Sequence, residues 1–266
     1  MKISIVITLM NDKNVIKTID SILEQTLLPN EIIVADAGDD KELYEKIKSY
    51  GGIVKIKKIY GSIAESRNKT IPMIKNEIIV FIDSDEKAPK EWLKKLIDPI
   101  LKRDIDFVGG RTKNMYKPKN KMEEYVYRKS DFCYDEIYKK DVAKIHMGNT
   151  AWKREIFDKI GNFDEKLKWG GEDYDINIRA LNAGFRGEFS DDAWVWHDRG
   201  MDTIGKWIRK RYKYHTGSTI VYLKNKIDVK KKEGSLSIGN HPLDYLDFLL
   251  KIFAFIRGNL KWRQMQ

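Results

Sequence analysis

Asp83-Ser84-Asp85 follows directly on an apolar run. At the end of a parallel strand such a triplet aims two carboxylates at one divalent cation. Hard oxygen ligands of this kind suit Mg²⁺ or Mn²⁺ carrying a diphosphate; the alternative is a solvated turn that caps a helix. Asp36 ends a second apolar run and precedes Ala37-Gly38-Asp39-Asp40. It could accept hydrogen bonds from a base or ribose, or close an Asx turn, for which Asp and Gly are favoured. Arg67, near the start of a helix beginning around Ser62, could meet phosphate oxygens or lie on the surface. Glu172 and Asp173 place adjacent carboxylates after Trp169-Gly170-Gly171. One could remove a proton from an acceptor hydroxyl, or both could complement a helix dipole. His197 lies beside Asp198 after a short strand and reads as a metal ligand or a satisfied surface pair. His146, His215 and His241 have no comparable context and read as structural.

The elements that must position these groups alternate. Strands are expected at Ile3–Leu9, Glu31–Asp36, Ile53–Ile59, Glu77–Ile82 and Asp106–Gly110, from apolar, β-branched runs. Helices are expected at Asn14–Gln25, where Val15, Ile16, Ile19, Ile22 and Leu23 share a face, and at Asp40–Ser49 and Pro89–Leu101. Ser62–Ile74 reads as helical in part, interrupted near Pro72. Such alternation predicts right-handed crossovers and an α/β fold with a mostly parallel central sheet flanked by helices. Ligands in such sheets sit beyond the C-terminal strand ends, where Asp36, Asp83 and Asp85 fall. Residues 111–145 read as a variable insertion with some helix. Ordered structure resumes over Gly148–Asp158, with a helix at Glu172–Ala183 and a short strand at Ala193–Trp196. Two further helices are expected at Thr203–Leu223 and Leu243–Lys261.

The 266 residues include 42% hydrophobic and 34% charged residues, with 6 Pro and 18 Gly. This excludes a collagen-like or low-complexity chain. The single cysteine, Cys133, excludes an internal disulfide framework and suits a reducing compartment. The net charge of +10 is uneven: residues 1–200 carry +1 and residues 201–266 carry +9. A nearly neutral body, 1–200, thus precedes a basic helical extension, 201–266, suited to an anionic partner. The opening MKISIVITLMND is too short for a signal segment, and the most apolar stretch, Tyr245–Ile256, falls short of the roughly 20 residues of a span. A cytoplasmic protein without a transmembrane helix is expected.

Taken together, the opening strand with Asn11-Asp12, the strand ending in Asp36, Ser66-Arg67-Asn68, Asp83-Ser84-Asp85, the segments Gly148–Glu165 and Gly170–Phe185, and His197 ahead of a basic helix resemble the family 2 glycosyltransferases. The resemblance runs from about Ile3 to Gly217 and implies the nucleotide-sugar-binding fold called GT-A. It implies that Asp36 binds the nucleobase, helped by the chain around Thr8 and Asn11. Asp83 would sit near the ribose, Arg67 near the nucleotide, and Asp85 and His197 on a Mn²⁺ or Mg²⁺ ion. Asp173 would be the catalytic base, with Glu172 beside it. Arg209 and Arg211 would meet the donor diphosphate. The family's usual Pro after the first strand is replaced around Thr8, and Asp12 stands in its acidic position. The activity implied is inverting, metal-dependent transfer of a sugar from a UDP- or GDP-sugar to an acceptor hydroxyl, as on a lipid-linked glycan or surface polysaccharide precursor. A sugar nucleotidyltransferase is an alternative, but it would want a glycine-rich, Arg-containing loop where Met10-Asn11-Asp12-Lys13 stands. A nucleic-acid-binding module would rest on the basic, aromatic tail alone, and no nucleic acid partner is expected. No GxGxxG or GxxxxGK[ST] loop is present.

In the extension, Lys206, Arg209, Lys210, Arg211 and Lys213 interleave with Trp207, Ile208, Tyr212 and Tyr214, and Lys230-Lys231-Lys232 follows. Leu243–Lys261 offers a broad apolar surface. The pair reads either as interfacial helices on anionic lipid at the inner face of the cell membrane, each nearby basic residue adding about 1 kcal/mol, or as helices packed on the body or on a second copy.

Overall fold

The computed structural model describes residues 1–200, 203–227 and 241–266. They form one eight-stranded sheet with helices on both faces. The strands are β1 (Ile3–Leu9), β2 (Glu31–Asp36), β3 (Val54–Lys58), β4 (Ile78–Ile82), β5 (Glu86–Lys87), β6 (Phe107–Asn114), β7 (Asn149–Lys153) and β8 (Gly187–His197), in spatial order β3-β2-β1-β4-β7-β6-β8-β5. The pairs β3–β2, β2–β1, β1–β4 and β6–β8 are parallel, and β7 and β5 pair antiparallel to their neighbours.

The helices are α1 (Val15–Leu23), α2 (Lys41–Lys48), α3 (Ile63–Thr70), α4 (Trp92–Lys102), α5 (Lys121–Phe132), α6 (Glu155–Ile160), α7 (Glu172–Asn182), α8 (Ile204–Lys224) and α9 (Pro242–Met265). Val15, Ile19 and Ile22 are fully buried on α1, as their spacing predicts. β4 is buried on both faces: Ile78, Val80 and Ile82 join the α1 and α4 side, and Ile79 and Phe81 join the α6 and α7 side. Each face thus withdraws apolar area at roughly 25 cal/mol per Å². This pins the C-terminal end of β4, and with it Asp83-Ser84-Asp85.

Several boundaries differ from the sequence reading. β6 extends through Asn114, and β8 is an eleven-residue strand rather than four. Their outer halves pair across a register shift between Gly110 and Thr112. Gly110 is pressed against the Ala193 carbonyl, where an added Cβ would come within 1.8 Å. Polar Glu188, Ser190, Asp191 and Asp192 left no apolar signal for that extension. Pro89 lies ahead of α4, whose interior holds Pro99. The insertion forms α5 and a π-helical turn, Cys133–Tyr138.

The two C-terminal helices do not lie side by side on the surface. α8 is the inner helix: Ile220 and Val221 join Tyr174 and Ile178 of α7 in one cluster, and Trp207 packs with Tyr125 of α5. α9 lies outside α8, with Ala254 and Gly258 buried at the contact. Arg211 meets Asp247 near the start of the pair and Thr219 meets Gly258 farther along, so the two helices run parallel. The Lys230-Lys231-Lys232 run lies outside the described residues.

Candidate active site

Asp36 ends β2 and is buried. Its Oδ1 accepts the Gly38 N–H at 2.8 Å, and Lys58 of β3 pairs with Oδ2. The next residues are held by Asn11, whose positive φ of 53° turns the chain after β1. Asn11 Oδ1 accepts the Asp39 and Asp40 N–H groups at 2.9 and 3.0 Å. Gly38 has no room for a side chain, because a Cβ there would lie 2.2 Å from Asn11 Oδ1. Thr8 is half-buried in β1, in register with Ala35 beside Asp36.

The next strand end is tied to the first: Ser84 Oγ donates to Asp12 Oδ2 at 3.3 Å. Asp83 Oδ1 faces the Arg67 guanidinium at 3.8 Å, and the same guanidinium reaches Glu172 Oε1 at 3.3 Å. Arg67 is thus a bridge between two acids 89 positions apart in sequence. A reciprocal cap of Ser62 and Glu65 starts α3 and directs Arg67 inward, where it is only 5% exposed between the Phe81 and Phe163 rings.

Asp85 Oδ2 lies 3.0 Å from His197 Nε2. The pairing of β5 with β8, which sets Glu86 opposite His197, brings this about. Burial pushes the Asp85 carboxyl up, but the His197 hydrogen bond and charge outweigh it and hold the group below its ordinary range. Behind the pair, burial drives the Glu86 carboxyl well above the usual range, reinforced by the charges of Asp83 and Asp85. The Asp83 N–H donates to Glu86 Oε2 at 3.2 Å. Glu86 escaped the sequence reading because long-range contacts bury it: the antiparallel β5–β8 pairing and α1, whose Thr18 hydroxyl donates to the Glu86 carbonyl at 2.6 Å.

Asp85 and His197 have the chemistry of a divalent-cation site. Among the described residues no cluster of three or more His, Cys, Asp or Glu side chains is arranged around one metal position. Mg²⁺-type ions, however, are bound by one or two carboxylates, with substrate phosphates and water filling the remaining positions. One carboxylate with one imidazole beside it fits that pattern.

Glu172 and Asp173 open α7. Gly171 precedes them at φ 92°, and Gly217 of α8 packs so closely that a Cβ there would lie 2.1 Å from the Gly170 carbonyl. The two acids differ. Burial and the adjacent Asp173 charge raise the Glu172 carboxyl above its ordinary range despite Arg67. Burial also pushes Asp173 up, yet the His146 hydrogen bond and charge and the Tyr174 N–H hold it below the ordinary range. Its Oδ2 lies 3.3 Å from His146 Nδ1, and His146 Nε2 lies 2.7 Å from Tyr138 Oη. Asp173 is therefore the more readily ionised of the two. His146 was read as structural; its contact with Asp173 across 27 positions left no sequence signal.

On α8 the charges of Asp85 and Asp83 act on Lys210, and Lys213, one turn on, acts on Glu172. Arg209 is exposed, and Arg211 is held by Asp247 of α9 through Nε at 2.6 Å and an Nη at 2.7 Å. The structure thus brings Asp83, Asp85, His197, Arg67, Glu172 and Asp173 to one cleft above the strand ends. The Ser84–Asp12 hydrogen bond ties this group to Asn11 and Asp36 at the ends of β1 and β2, and Arg211 belongs to the α8–α9 contact.

The sequence model of glycosyl transferase family 2 matches residues 4–161, more than half of the chain. A glucosyl-dolichyl phosphate glucuronosyltransferase from Haloferax volcanii is 23% identical over 204 residues, covering 69% of this chain and 61% of that protein. An O-antigen biosynthesis glycosyltransferase from Escherichia coli is 29% identical over 188 residues, covering 64% and 68%. In structure, the chain is similar to a mannosyltransferase from Pyrobaculum calidifontis solved with GDP-Man and Mn²⁺, with a TM-score of 0.64 at 15% identity over 98% of this chain and 73% of that one. No helix among the described residues is long and apolar enough to cross a membrane. The matched segment runs from β1 through Asp83-Ser84-Asp85 to α6, and by that match the chain belongs to glycosyl transferase family 2 and carries its GT-A fold.

Proposed function

We propose that the protein transfers a sugar from a nucleotide diphosphate sugar to an acceptor hydroxyl with inversion at the anomeric carbon. The observation that carries this reading is Arg67, which joins the acid after β4 to the acid that opens α7. Through Asp83 and Glu172 it supports a reading in which the strand end that carries Asp85 and the helix start that carries Asp173 act together.

In this reading Asp36, Asn11 and Thr8 line the pocket for the base, and Asp83 lies toward the ribose. Asp85 and His197 would hold Mn²⁺ or Mg²⁺, which, when bound, offsets the negative charge gathering on the departing diphosphate. Lys210 adds a fixed positive charge on the same side. Asp173, whose charged form His146 favours, takes the proton of the acceptor hydroxyl on the opposite face of the sugar. Glu172, held by Arg67, sets the start of α7. The acceptor class is a lipid-linked glycan or surface polysaccharide precursor, met at the cytoplasmic face of an anionic membrane.

The test is a thermal-shift screen of UDP- and GDP-sugars with and without Mn²⁺, followed by product analysis by mass spectrometry and anomeric NMR. A ligand at 100 times its Kd stabilises by about 2.7 kcal/mol, which such a screen resolves. Asp85→Ala removes the metal-dependent shift. Asp173→Ala keeps the shift and loses transfer; full transfer by that variant would overturn the base assignment.

A further inference from the structure

We propose that the outward face of α9 seats the protein on an anionic lipid bilayer, with α9 lying along the interface. The inference rests on the transfer reading above and narrows its membrane element from two helices to one face of one helix.

Tyr245, Leu249, Ile252, Phe253, Ile256 and Leu260 are between 44% and 60% exposed. At 100° per residue they fall within an arc of about 100°, and they run about 22 Å along the helix. The opposite side carries Ala254 and Gly258, buried against α8. α9 is thus apolar on the side that faces away from the protein, the reverse of an ordinary surface helix. The acids of α9 are turned from this face and engaged: Asp244 with Tyr125 and Lys129, and Asp247 with Arg211 and His215.

Charge decides between a bilayer and a second copy of the chain as the occupant. α9 carries Arg257, Lys261 and Arg263 toward its C-terminal end, while its two acids are paired with Lys129 of α5 and with Arg211 and His215 of α8. Two copies meeting through α9 would bring like charges together, whereas anionic headgroups neutralise them. Arg263 continues the apolar stripe at its C-terminal end, where a basic side chain can reach headgroups.

The seat is joined to the chemistry. The Arg257 guanidinium stacks 4.3 Å from the Trp169 ring centre and 5.4 Å from that of Tyr212. Trp169 directly precedes the Gly170-Gly171 turn that opens α7 and carries Asp173. A helix lying at the interface therefore sets the base close to headgroup level, where an acceptor anchored in the bilayer presents its hydroxyl.

The full chain is sedimented with vesicles of phosphatidylcholine alone and with added phosphatidylglycerol, beside the triple variant Leu249→Asn, Phe253→Asn, Ile256→Asn. The expected result is at least tenfold tighter binding to the anionic vesicles, weakened by salt. The triple variant loses that binding while keeping its circular dichroism and its nucleotide-sugar thermal shift. Equal binding by the triple variant, or no binding by the native chain, overturns the proposal. So does a dimer in light scattering that the same substitutions dissociate without any vesicle binding. Donor-induced shift and transfer to a soluble acceptor, read without vesicles, report separately on the transfer reaction.

Discussion

His146 Nδ1 lies 3.3 Å from Asp173 Oδ2, and the other nitrogen of the same ring lies 2.7 Å from Tyr138 Oη. The imidazole fixes the direction of the carboxylate and favours its charged form. In His146→Gln the carboxyl loses that support while burial still pushes it up, so its pKa rises. The reactive form is the deprotonated one, so the acidic limb of the kcat/KM profile moves to higher pH. A kcat loss of roughly tenfold is expected at neutral pH, a fraction of the about 10²–10⁴-fold that a general base supplies. An unmoved limb in the pH profile would separate His146 from the base. Tyr138→Phe should move it in the same direction by less.

Arg67 is nearly fully buried and serves Asp83, Glu172 and two aromatic rings at once. Arg67→Met leaves Glu172 charged or protonated without its partner. Removing one member of a buried pair costs about 3–5 kcal/mol, which urea unfolding would register as a lower midpoint. Arg67→Lys keeps the charge but not the planar fork, so it should recover only part of that loss. A Met variant as stable as the native protein would show the bridge to be dispensable.

Asp36 and Asp83-Ser84-Asp85 were legible because an apolar run that stops at an acid marks a strand end, and parallel strand ends face the ligand. β1 and β2 match the expected bounds, and β3, β4 and α1 fall within theirs. What stayed hidden depends on long-range pairing. Glu86 is buried by the β5–β8 pairing and by α1, and His146 reaches Asp173 only through the fold. The first half of β8, with Glu188, Ser190, Asp191 and Asp192, is polar and is held by its partner β6 rather than by a hydrophobic face.

Gly217 meets the Gly170 carbonyl so closely that an added Cβ would lie 2.1 Å from it. Helix propensity alone would favour alanine at this position of α8 by about 1 kcal/mol. Contact with backbone should reverse the sign, for an overpacking cost of about 1–3 kcal/mol. Gly217→Ala is therefore expected to lower the melting temperature and, by displacing the turn before Glu172, to lower kcat more than donor affinity. Calorimetry and steady-state kinetics on the same preparation check both; a raised melting temperature would mean that α8 and the turn can separate freely.

The basic run of α8 shows how one residue of helical phase redirects a functional reading. Arg209 and Arg211 were the expected diphosphate partners, yet a helix turns about 100° per residue, so of the three consecutive residues 209–211 only one can face the acids. That member is Lys210, whose ammonium burial pushes below the ordinary lysine range while Asp85 and Asp83 draw it back. Arg211 points the other way, into a two-pronged pair with Asp247 that also engages His215. The two positions should therefore fail differently. Lys210→Met removes a charge from the diphosphate side, so the KM for the nucleotide sugar should rise about tenfold, the equivalent of about 1.4 kcal/mol, with little change in unfolding midpoint. Arg211→Met takes the two-pronged partner from Asp247, which keeps only His215 at 2.9 Å and Lys251 at 3.9 Å, so stability should fall by about 2–4 kcal/mol while donor KM holds. Donor titration and chemical denaturation of both variants decide the matter. If Arg211→Met weakened the donor and Lys210→Met did not, the diphosphate would lie on the α9 side of α8, and the cleft assigned to it would be the wrong one.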